Sequence, residues 1–97
     1  MRHFLVPAIR DKRRLMLRYR GRPCLVEPHA YGLDRHGEPA LLCYQIPAGG
    51  MPAAAGGWRE LKLRDARAVS ETGERFAGAR PGYNRNDTGL QAIFAQL

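Results

Sequence analysis

Residues 13–33, RRLMLRYRGRPCLVEPHAYGL, decide the fold. Leu15, Leu17 and Tyr19 alternate with Met16, Arg18 and Arg20, the period of two that marks a half-buried strand. Arg20-Gly21-Arg22-Pro23 then predicts a tight turn: glycine takes positive φ at no steric cost, and proline suits a turn or a first strand position. Residues 24–33 resume as a longer strand. Pro28 in its middle donates no ladder hydrogen bond, so a bulge or an edge is expected there, with Glu27 and His29 beside the distorted backbone.

On the N-terminal side, Phe4, Leu5, Ala8 and Ile9 make an apolar stripe that predicts a two-turn helix over 4–12, capping one mouth of a barrel. Pro7 fits best if that helix begins near Val6, since proline is tolerated in a first turn. On the C-terminal side, Asp34-Arg35-His36-Gly37 reads as a hairpin turn with glycine at the left-handed position, and 39–46, PALLCYQI, as a strand buried on both faces. Residues 47–57, PAGGMPAAAGG, carry no charge and read as a flexible loop or lid. Trp58-Arg59-Glu60-Leu61-Lys62-Leu63 alternates as a fourth strand, 64–66 form one 3₁₀ turn, and 67–72 return as a fifth strand.

The expected fold class is therefore mainly β: a small five-stranded, partly open barrel of SH3 or Sm-like type with a short N-terminal helix. The 97 residues suit a single domain, 1–97, with its core over 8–72 and a tail over 73–97. In the tail, Asp87 or Thr88 caps a predicted C-terminal helical turn in which Leu90, Ile93, Phe94 and Leu97 have amphipathic spacing. So short a helix forms only when docked on the barrel or on a partner.

The formal net charge is +7, and fourteen of the sixteen basic residues are arginine. A chain this basic associates with polyanions. Part of the arginine excess has a second source in GC-rich codons, which also favour Ala, Gly and Pro. Cys24 and Cys43 lie in strand-like apolar runs without metal-site spacing; two buried thiols are the first reading and a cross-strand disulfide the second. A signal-peptide core and any run near eighteen apolar residues are missing, so a cytoplasmic location is expected.

Enzyme signatures are poor. The chain contains no phosphate loop with lysine, no G-x-S-x-G and no H-E-x-x-H. Neither metal ligation by His3, His29 and His36 nor any cofactor is expected. Glu27 and His29 form the one acid–imidazole pair close in sequence, facing the same side of a regular strand, and a catalytic use of them is the minority reading. The basic residues speak more clearly. Arg14, Arg18, Arg20 and Arg22 cluster on the first hairpin and Arg59, Lys62, Arg64 and Arg67 on the second, with Tyr19, Tyr31, Tyr44 and Trp58 nearby. Guanidinium groups pair phosphates and rings stack bases, the combination that single-stranded nucleic acid requires. The bland alternative is that alternating strands put arginine on their wet side.

The order AIRDKRRLMLRYRG, VEPHAYG, a glycine turn, an apolar strand and WRELKLRDARAV resembles the WYL domain family over residues 8–69. Tyr19-x-Gly21, Glu27-Pro28 and Leu61-Lys62-Leu63-Arg64 carry the resemblance. Pro39-Ala40-Leu41 stands near where the naming Trp-Tyr-Leu would be, keeping the leucine alone, and no helix-turn-helix module precedes the first strand. The resemblance implies an SH3- or Sm-like ligand-sensing module of bacterial regulators and defence-related proteins, with Lys62 and Arg64 at the family's late-strand basic positions.

Together these readings predict a non-catalytic regulatory module. It would bind an anionic ligand, single-stranded nucleic acid or a nucleotide, through Arg18, Arg20, Arg22, Lys62, Arg64 and Arg67, with Tyr31 or Trp58 as a stacking surface. The alternative is a protein-interaction module, homodimeric or heteromeric, that uses a sheet edge, the 47–57 loop and the C-terminal segment.

Overall fold

The computed structural model describes residues 2–47 and 56–97. Helix α1 (Arg2–Arg10) is followed by β1 (Arg13–Tyr19), β2 (Arg22–Leu33), β3 (Pro39–Ile46), β4 (Gly57–Lys62), a 3₁₀ turn (Leu63–Asp65), β5 (Ala66–Arg75) and β6 (Ala92–Gln96). All pairings are antiparallel, in the order β4-β3-β2-β1-β5, with β6 added to β2. Two expectations are corrected here. The described residues form six strands rather than five, and the C-terminal segment is a strand, not a helical turn. The proposed loop or lid at 47–57 falls mostly on residues 48–55, outside the described residues.

The organising element is β2. One long edge of it pairs with β3 from Leu25 to Leu33, while the other is shared: Arg22 to Val26 pair with β1, and Ala30 to Leu33 pair with β6. The change of partner falls at Glu27-Pro28-His29, where proline has no N–H to donate. His29 is also an extra residue against β3, since Pro28 pairs with Cys43 and Ala30 with Leu42. The bulge expected at Pro28 is thus present.

At the β1–β2 turn, Arg20 and Gly21 both have positive φ, 51° and 81°, and Tyr19 pairs with Arg22, which makes a two-residue hairpin loop. The β2–β3 turn is fixed by Asp34, whose Oδ1 accepts the backbone N–H of His36 and of Glu38, with Gly37 at φ 75°. Pro7 lies inside α1 rather than near its start, removing one bond of a helix held mainly by Leu5, Ala8 and Ile9, all buried.

The sheet has two covered faces. On one, Leu15, Leu17, Val26, Leu41, Cys43 and Leu61 pack with the buried side of α1. On the other, the 76–91 connection crosses β2, β3 and β4, laying Phe76 against His29 and Tyr83 against His29 and Trp58 at ring-centroid separations of 5.2–6.1 Å. This strap is pinned at several points: the Trp58 indole N–H donates to the Pro81 carbonyl at 3.1 Å, and the Arg80 amide donates to His29 Nε2 at 3.1 Å. Cys24 and Cys43 are buried free thiols, and burial pushes the Cys43 thiol up. No helix among the described residues is long and apolar enough to cross a membrane.

Candidate functional site

The alternation of β1 puts Leu15, Leu17 and Tyr19 into the core and Arg18 on the exposed face. On the neighbouring strand β5, Arg67 is the direct partner of Arg18. A bulge next to that pair, with Ala68 at φ 54°, interrupts the ladder between Arg67 and Ser70. Like charges directly opposite on adjacent strands destabilise a sheet. Neither head group is offset by a carboxylate among the described residues. Arg18 Nη2 donates to the Gly21 carbonyl at 2.8 Å, and Arg67 Nη1 donates to the Arg64 and Ala66 carbonyls at 3.0 Å.

Those carbonyl contacts gather the rest of the patch. Arg18 reaches back to the β1–β2 turn that carries Arg20 and Arg22, and Arg67 reaches back to the 3₁₀ turn that carries Arg64. Arg20 Nε donates to Asp65 at 3.2 Å and its guanidinium lies 5.3 Å from the Tyr19 ring centroid. Five exposed arginines, Arg18, Arg20, Arg22, Arg64 and Arg67, therefore lie on these two turns and the strand ends beside them, and among the described residues Arg20 alone of the five has a carboxylate partner, Asp65. A multivalent anion on this surface would meet planar, bidentate donors.

The other sequence-predicted residues lie elsewhere. Lys62 Nζ donates to Asp34 Oδ2 at 2.6 Å, with Glu60 3.8 Å away. The Lys62 bond and the two turn amides hold the Asp34 carboxyl down at about 2, and the same bond to Asp34 raises Lys62. Tyr31 is core, 7% exposed, with its ring 5.2 Å from Phe94. Trp58 belongs to the aromatic cluster beneath the strap. Neither ring shares the surface with the five arginines.

Glu27 and His29 are both fully buried, but not as an acid–base pair. His29 Nε2 accepts the Arg80 amide, so Nδ1 carries the ring proton and donates to the Glu27 carbonyl at 2.8 Å. Burial disfavours the imidazolium and lowers the His29 pKa. The Glu27 carboxylate accepts Arg14 Nε at 2.9 Å, Arg80 Nε at 2.7 Å and Arg80 Nη2 at 3.2 Å. Burial alone would raise its pKa; the Arg80 and Arg14 bonds outweigh it and the net shift is downward. Arg80 also stacks 4.6 Å from the Tyr44 centroid. The sequence reading missed Arg80, although Arg80-Pro81-Gly82 between Phe76 and Tyr83 sets a cation among apolar and turn residues.

No three His, Cys, Asp or Glu side chains among the described residues are grouped to hold a metal ion. No family model, curated protein or solved structure matches this chain.

Proposed function

We propose that the protein is a regulatory module binding the phosphates of single-stranded nucleic acid, or of a nucleotide, on the surface formed by Arg18, Arg20, Arg22, Arg64 and Arg67. The observation that carries this reading is the Arg18–Arg67 pair: two like charges held opposite one another, their partners backbone carbonyls. An arrangement that costs stability in the free chain is favourable once an anion lies between the head groups. Arg20 adds to it. Its left-handed conformation costs a non-glycine residue about 1 kcal/mol, and asparagine is the usual occupant of that turn position.

The sheet supports the finer part of the reading. The 3₁₀ turn before β5 and the Tyr19 hydroxyl, which accepts the Lys62 amide at 3.1 Å from across the sheet, suit an SH3- or Sm-like barrel left partly open, as the WYL resemblance implies. In that family context the module is bacterial and cytoplasmic. With Tyr31 and Trp58 turned away from the arginines, recognition rests on phosphates, so affinity is insensitive to base identity.

Fluorescence anisotropy with a labelled oligothymidylate at two salt concentrations tests this. Wild-type affinity falls steeply with salt. Arg18→Ala/Arg67→Ala weakens binding and flattens the log–log salt slope by about 1.4, two phosphates at about 0.7 each. Lys62→Ala, which breaks a bond to Asp34, leaves the slope unchanged. A slope unaffected by the double substitution contradicts the reading.

A further inference from the structure

The surface at the N-terminal end of the molecule has a different composition. Arg2, His3, Val6 and Arg10 on α1 and Phe94 on β6 line an open groove of about 560 Å³. Phe94 is the one large hydrophobic side chain among the described residues that is substantially exposed, at 43%. It is the extra residue of a bulge, because Tyr31 pairs with Ala95 and Gly32 with Ile93, and it is held by the Tyr31 ring and by the Arg2 guanidinium 5.4 Å from its centroid. The edge of β6 away from β2 pairs with no strand among the described residues.

We propose that this groove docks an extended acidic segment of a partner protein, with an aliphatic or aromatic anchor against Phe94 and Val6 and flanking carboxylates on Arg2 and Arg10. Charge selects the occupant. The groove is rimmed by Arg2, His3 and Arg10 and lined by no carboxylate, so a second copy seated there would bring arginine against arginine. An acidic strand added beside β6 would satisfy the open edge with main-chain hydrogen bonds, place its anchor on the apolar floor and neutralise the rim. Five strand residues without a charge, AIFAQ, impose no repulsion on it.

The test uses the whole protein labelled with ¹⁵N and two synthetic peptides, Asp-Glu-Leu-Phe-Glu-Asp and its counterpart with lysine at every acidic position. The acidic peptide is expected to shift amides of α1 and β6 and to leave those around Arg18 and Arg67 unchanged; Phe94→Ala weakens it at least tenfold, and the lysine peptide does not bind. Arg18→Ala/Arg67→Ala, which weakens the phosphate surface, leaves peptide binding intact, so the two sites fail separately. Absence of binding, shifts centred on Arg18 and Arg67, equal affinity of Phe94→Ala, or a Phe94-dependent dimer in place of a peptide complex would each overturn the proposal.

Discussion

Glu27 shows how a single buried charge is made tolerable. Its carboxylate has three arginine hydrogen bonds from two different segments, Arg14 of β1 and Arg80 of the strap. Removing one partner of such a pair leaves the other charges uncompensated. Glu27→Gln is predicted to lower unfolding free energy by about 3 kcal/mol, the low end of that range because both arginines are partly solvated. Chemical denaturation measures it, and a change under about 1 kcal/mol would contradict the account. The pH dependence follows the same groups. Glu27, His29 and Asp34 all have pKa values lowered in the fold, so below their ordinary values the unfolded chain binds more protons than the native one. Their stabilisation is complete above about pH 6.5, the ordinary histidine value. It begins to fall below that as His29 charges and falls further from about 4.5 toward 2 as Glu27 and Asp34 protonate. Thermal melts should show Tm declining in that order. A Tm that rises between pH 6.5 and 4 would reverse the sign.

The elements divide into those the sequence shows directly and one that it hides. β1, β2, β3 and β4 follow from alternation or from apolar runs closed by turn residues, and the bulge at Pro28 follows from a missing N–H. β6 does not, because Leu90, Ile93, Phe94 and Leu97 have helical spacing. What overrides it is tertiary: the second half of β2 has an edge that β1 leaves unpaired, and a five-residue strand completes it. Gly32 permits the approach, since a Cβ there would overlap the Ala92 carbonyl. Gly32→Ala is therefore predicted to cost about 2–3 kcal/mol, the upper part of the overpacking range. It should also accelerate hydrogen exchange at Gln91 and Leu97, whose amides donate to the Leu33 and His29 carbonyls. Unchanged protection at those two amides would show that β6 docks without this close contact. The site was partly legible in the same way. The charge pattern of the two hairpins singled out Arg18, Arg20, Arg22, Arg64 and Arg67 as candidates, and all five are exposed. It could not separate them from Lys62, because the Asp34 bond that occupies Lys62 spans 28 residues of sequence.

At the scale of the molecule, the two faces of the sheet have separate tasks. One carries the main core under α1, and the other carries the aromatic cluster around His29 under the strap. Both are tied through β2, so residues 73–97, read from sequence as a tail, are part of the fold. Truncation after Arg85 would remove β6 and destabilise the domain. The arginine surface remains outside both cores, at the β1–β2 turn and the start of β5, where neither apolar face claims it. The most direct measurement of that claim is an NMR titration of the ¹⁵Nε resonances of the arginine side chains with oligothymidylate. The account predicts shifts at Arg18, Arg20, Arg22, Arg64 and Arg67, with Arg14, Arg80 and the Trp58 indole unmoved. Shifts centred on Trp58 and Arg80, or none at the five arginines, would contradict it.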